Sequence, residues 1–119
     1  MVQVVYMHHS SYSSSSHGSM VEMQWPYAQW GAELVLAGHD HSYERIDADG
    51  ITYIVNGLGG AQNYPIGTPV PGSRFSYTGG FGALLVDADA TVMRLRFYGV
   101  GGQLLDETTL GAPAPTPVP

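Results

Sequence analysis

Two short apolar runs, Val2-Gln3-Val4-Val5-Tyr6-Met7 and Leu34-Val35-Leu36-Ala37, each break off at histidines: His8-His9 after the first, His39-Asp40-His41 after the second. Short runs rich in β-branched residues read as buried strands. The connection between them, residues 8–33, is long enough for a parallel crossover, which needs a dozen or more residues. In such units ligands gather beyond the carboxyl ends of the strands. Both histidine groups stand at that end, so the topology alone brings them towards one place.

The connection has two parts. From His9 to Ser19 it is a serine-rich loop carrying Tyr12, His17 and Gly18, read as a functional loop on a rigid scaffold rather than a plain linker. Ser19 with Glu22 three residues on matches a capping box, which predicts a helix over about 20–30, kinked at Pro26 and ended by Gly31. Its aromatic residues, Trp25, Tyr27 and Trp30, are expected in the core.

The rest changes character. Residues 43–46, 51–56, 81–87, 91–98 and 103–110 read as strands separated by Asp-Gly, Asp-Ala and Gly-rich turns, and Met93, Leu95 and Phe97 alternate with Val92, Arg94, Arg96 and Tyr98 as in a sheet with one wet face. Residues 57–80 form a long segment rich in Gly and Pro, expected to rim the site. The expected fold class is α/β (α+β) and β-rich, with one strand-helix-strand unit followed by antiparallel strands. Residues 1–111 make the domain and 112–119 a Pro-rich tail.

Composition narrows the function. The 119 residues suit a single domain, and only 12% are charged, which predicts an uncovered apolar patch and a homo-oligomer. Net charge is −6, with four arginines and no lysine, so nucleic-acid backbone binding is not expected. Without cysteine there is neither a disulfide nor a thiolate site. No stretch suits a membrane span and the start lacks the basic flank of a signal peptide, so a soluble chain of undetermined location is expected. Strand-end imidazoles suit a divalent metal, Zn or else Mn, Fe, Co or Ni. His8, His39 and His41 are the candidate ligands, with one position left open.

Taken together, Val4-Val5-Tyr6-Met7-His8-His9, Tyr12, His17-Gly18-Ser19, Gly38-His39-Asp40-His41-Ser42-Tyr43-Glu44-Arg45 and Gly57-Leu58-Gly59-Gly60-Ala61 resemble the carboxyl-terminal half of the calcineurin-like metallophosphoesterases, in the purple acid phosphatase-like branch. The resemblance runs from Val2 to about Leu110. It implies half of a metallophosphoesterase β-sandwich and one or two metal ions that supply a hydroxide to hydrolyse a small phosphoester, a phosphodiester or an activated ester. His8 and His39 would then hold one ion and His41 another. His17 and Asp40 would be catalytic, and His9, Tyr12, His17 and Tyr43 would bind substrate.

The amino-terminal motifs of that family, with their bridging carboxylate, have no counterpart in this chain. Three expectations follow: a small phosphoesterase with one metal; an oligomer in which Asp40, Asp47 or Asp49 of a neighbour completes the site; or a non-catalytic metal-binding relic or fragment of a longer phosphatase. A non-catalytic interaction module is a further alternative.

Overall fold

The computed structural model describes residues 2–111. The tail expected over 112–119 lies outside the described residues. Eight strands run in chain order: β1 (Gln3–Tyr6), β2 (Ala32–Ala37), β3 (Tyr43–Ala48), β4 (Ile51–Asn56), β5 (Ser73–Tyr77), β6 (Gly82–Ala88), β7 (Met93–Gly99) and β8 (Leu104–Leu110).

They make two sheets. The first has the order β1-β2-β4-β3-β5 and the second the order β6-β7-β8. β1 pairs parallel with β2, and β2 parallel with β4, as the crossover requires. β3 pairs antiparallel with β4 and with β5, and the second sheet is antiparallel throughout. The chain is thus β-rich, with a parallel crossover followed by antiparallel strands.

The expected helix is absent. Between β1 and β2 only a single 3-10 turn, Val21–Met23, is regular, and no side chain caps it. The Ser19 hydroxyl is already occupied, accepting the Ser13 backbone N–H at 3.2 Å. Pro26 removes a donor just where a helix would have to continue. The tryptophans consequently miss the core: Trp25 and Trp30 are more than half exposed, whereas Tyr27 is buried.

A strand appears where the sequence predicted loop. Ser73–Tyr77, inside the Gly- and Pro-rich segment, forms β5 at the edge of the first sheet. Pro71-Gly72 and Gly79-Gly80 punctuate it so closely that its alternation is only five residues long.

The two sheets meet through Leu34, Tyr43, Ile54, Leu58, Met93, Leu95 and Phe97. Met93, Leu95 and Phe97 are the inward face of β7 and Arg94 is turned out to solvent, as the alternation predicts. Tyr43 stacks on Phe97 with ring centroids 3.9 Å apart and carries its hydroxyl to Asp106 Oδ2 at 2.7 Å. Arg45 closes the same contact with both oxygens of Asp106, Nε at 2.9 Å and Nη2 at 3.1 Å. The other face of the first sheet is covered by the 8–31 connection, whose Tyr27 is buried with Ala32, Val35, Ile46 and Tyr53 of the strands.

One sheet edge stays uncovered, so β1, expected as a buried strand, is mostly exposed because no further strand pairs beyond it among the described residues. On β1, Val4 is 38% and Tyr6 84% exposed. A groove of about 290 Å³ opens beside them, lined by Tyr6, Leu36, Ile54, Leu84 and Val86.

Candidate metal centre

The parallel pairing of β1 and β2 continues past the last strand residues. The Met7 N–H reaches the Leu36 carbonyl at 3.0 Å, and the Gly38 N–H reaches the His8 carbonyl at 2.9 Å. This brings the two histidine groups side by side. At His39 the backbone turns into the left-handed region, φ 71°, which an L-residue adopts only when its surroundings impose it. One such constraint is visible at Gly57, where any Cβ would stand 2.0 Å from the Asp40 carbonyl oxygen, so the loop after β2 lies directly on the backbone after β4.

The imidazoles then converge. His8 Nε2 lies 3.1 Å from His39 Nδ1. One ligand nitrogen from each of His8, His9 and His39 falls within 4.8 Å of the others. Two imidazole nitrogens so close share either a proton or a cation. At nitrogen–zinc distances near 2.0–2.1 Å, tetrahedral ligands stand roughly 3.3 Å apart, close to the 3.1 Å between His8 and His39, with the His9 nitrogen within 4.8 Å of both. The donor set, imidazole with no sulfur, suits zinc, cobalt or nickel.

His17 adds a fourth ring, its centroid 3.8 Å from that of His39. His39 is held below the usual histidine pKa. Burial is the largest cause, followed by the neighbouring His17, His9 and His8, with Asp40 opposing. Crowding therefore favours the neutral imidazole, the form that binds metal.

The carboxylates face elsewhere. Asp40 is 1% exposed; it takes the hydroxyl of Ser13 and, at 2.8 Å, the backbone N–H of His17. Glu44 is fully buried and takes three bonds: the Ser14 N–H at 2.8 Å, the Ser14 hydroxyl at 2.5 Å and the Ser73 hydroxyl at 2.6 Å. Ser10, Ser11, Ser13, Ser14 and Ser15 are all buried. The serine loop is thus a polar plug folded round two carboxylates, and neither carboxylate belongs to the cluster of metal-ligand atoms.

His41 stands apart from the three converging histidines. Its Nδ1 donates to the Gln62 carbonyl at 2.6 Å, and its ring stacks on Tyr64 with centroids 4.1 Å apart. It shares with His8 and His39 the wall of an open groove of about 340 Å³. The other predicted site residues are spread out. Tyr43 is in the core between the sheets, and Tyr12 bonds Asp49 Oδ2 at 3.3 Å and meets Tyr53 edge-on. Asp47 pairs with Arg74 at 3.0 Å. His9, read from sequence as a substrate contact, brings a ring nitrogen into the convergent group that could hold a metal. The signal that could have shown this is the end of β1 at Tyr6: beyond a strand, neighbouring residues no longer point to opposite faces.

The fold and these histidines define a β-rich chain of two sheets with an imidazole cluster at the carboxyl ends of its parallel strands. No family model matches the chain, and no curated protein matches it either. Among solved structures it is similar to GAP50, the anchor in the inner membrane complex of Plasmodium, with a TM-score of 0.83 at 17% identity over 95% of this chain. The chain spans 37% of the length of that structure. At such identity the likeness shows the fold alone.

The comparison corrects the membership that the motifs suggested in the purple acid phosphatase-like branch of the calcineurin-like metallophosphoesterases: the similarity found is to an anchor protein's fold, and no family model supports the enzyme family. The physical reason is that the matching strings are short and sit at strand ends, where histidine and glycine also serve local backbone geometry. Among the described residues, no helix is long and apolar enough to cross a membrane, which leaves β-barrel spans unaddressed.

Proposed function

We propose that this chain is a non-catalytic metal-binding module that holds one divalent transition ion on His8, His9 and His39. The observation that carries this reading is the pairing of three convergent imidazoles with carboxylates that are spent on the serine loop. A hydrolytic centre with two ions needs a carboxylate or a similar bridge between them. Asp40 and Glu44 could take that place only by abandoning buried hydrogen bonds. GAP50, whose fold the chain shares, is described as an anchor, which accords with the non-catalytic part of this reading.

A second reading, hydrolysis of a small phosphodiester, is favoured by one contact: His17, its ring against that of His39 and tilted 30° to it, stands where a proton donor to a leaving group is useful. The two readings separate in one experiment. The protein is loaded with zinc, its metal content measured, and bis(4-nitrophenyl) phosphate offered as substrate. The module predicts about one ion per chain, lost in His39→Ala, and no turnover above free zinc. Turnover that disappears in His39→Ala, or in His17→Ala at unchanged metal content, would contradict it.

A further inference from the structure

Both tryptophans of the chain lie in one short segment, and neither serves the core. Trp25 is 55% and Trp30 58% exposed, with centroids 6.1 Å apart and ring planes tilted by 36°. They are held in place. The Trp25 indole N–H donates to the Glu22 carbonyl at 2.9 Å, and Trp30 meets the buried Tyr27 edge-on. Two fixed aromatic rings thus leave more than half of their surface in water, area that a ligand could cover.

Beside Trp25 opens a groove of about 490 Å³, larger than the one at the histidines and within the usual range for small-molecule sites. Its polar lining comes from Gln24, Gln29 and Asp49, with Pro26 on the apolar side. The Gln24 amide N–H is spent on the Ser11 carbonyl at 2.9 Å, which leaves its side-chain oxygen to accept. Asp49 is presented by the two-residue turn between β3 and β4, where it and Gly50 both have positive φ, and Tyr12 steadies it. No arginine lines the groove.

This chemistry selects its ligand. With a carboxylate and no cation, the groove disfavours phosphates and other anions. Its amide and carboxylate oxygens would be stranded against a purely apolar partner. A sugar ring satisfies both halves: its C–H face, polarised by the ring oxygens, lies on the negative face of an indole, and its hydroxyls donate to carboxylate and amide oxygens and accept from amide N–H. We propose that the groove beside Trp25 is a binding site for a neutral glycan, separate from the histidine cluster and sharing no residue with it.

Tryptophan emission reports on this segment, because Trp25 lines the groove and the other tryptophan, Trp30, stands 6.1 Å from it. The full chain is titrated with cellohexaose, chitohexaose and maltohexaose, by fluorescence and by calorimetry. Saturable binding of at least one is expected. Trp25→Ala and, with both indoles kept, Gln29→Ala should each weaken it, the first by about tenfold. His39→Ala should bind the sugar as the parent does. Both substitutions in the groove are at exposed positions, so the folded state should survive them. No saturable response at millimolar sugar, binding indifferent to both substitutions, or a response only to phosphatidylcholine vesicles would overturn the proposal.

Discussion

The buried carboxylate of Asp40 accepts the backbone N–H of His17 at 2.8 Å, so a residue in the loop after β2 fixes the backbone from which the loop after β1 presents its imidazole. Asp40 also takes the Ser13 hydroxyl, which in turn accepts the Ser15 N–H at 3.1 Å. A serine-rich stretch, ordinarily a flexible connector, is thereby made part of the interior. Asp40→Ala leaves the Ser13 hydroxyl and the His17 N–H without their acceptor, at an expected cost of about 3 kcal/mol. Asp40→Asn, which keeps one acceptor oxygen, should cost less. Urea unfolding of both variants checks the order; equal stability of Asp40→Ala and the parent would contradict it.

Asp106 joins the two sheets by holding the Tyr43 hydroxyl and the Arg45 guanidinium together. Removing the carboxylate by Asp106→Ala strands a largely buried cation, and about 3–5 kcal/mol should be lost. Tyr43→Phe keeps the stacking on Phe97 and the Arg45 pair, so it should lose only about 1 kcal/mol. Denaturation midpoints of the two variants decide this; a Tyr43→Phe loss as large as that of Asp106→Ala would place the stability in the hydroxyl instead.

Burial pushes the Tyr53 phenol up to about 12 from its ordinary 10.0, and Tyr43 is driven in the same direction by burial and Asp106. A group whose pKa is raised on folding stabilises the fold fully below its unfolded value and loses that contribution as the pH climbs through its folded value. Stability should therefore hold up to about pH 10 and fall towards pH 12. In Tyr53→Phe the alkaline decline should be shallower. Unfolding free energy measured across this range gives the comparison, and an identical slope in the variant would show that Tyr53 takes no part.

The outer edge of β1 carries no charge over Gln3–Tyr6, and Val4 and Tyr6 are turned to solvent. Charged side chains and prolines usually protect such edges from pairing with another chain. We expect the chain to self-associate here at micromolar concentration, and Tyr6→Lys to return it to a monomer. Sedimentation velocity reads both states; a monomeric parent would sink the expectation.

Much of this architecture is legible in the residues. The paired apolar runs ending at histidines give β1 and β2 with their parallel order, and Met93, Leu95 and Phe97 give the buried face of β7, because period-two patterning survives wherever one sheet face is covered. The helix over 20–30 fails because Ser19 looks like a cap in sequence while its hydroxyl serves Ser13 across the loop, a contact no local pattern encodes. β5 is hidden because its register comes from pairing with β3 rather than from its own five residues.

At the site, His8 and His39 are readable as strand ends. That His9 joins the convergent nitrogens while His41 turns to Gln62 and Tyr64 is not, since it follows from contacts made across the loops and from the left-handed turn at His39.

That difference gives the most direct test of the proposed metal centre. Zinc-loaded crystals are measured by anomalous scattering, and zinc affinity is compared in His9→Ala and His41→Ala. One ion bound by nitrogens of His8, His9 and His39 is predicted, with affinity falling by at least about tenfold in His9→Ala and little changed in His41→Ala. An ion held by His41 and not His9, or no ion at these histidines, would contradict it.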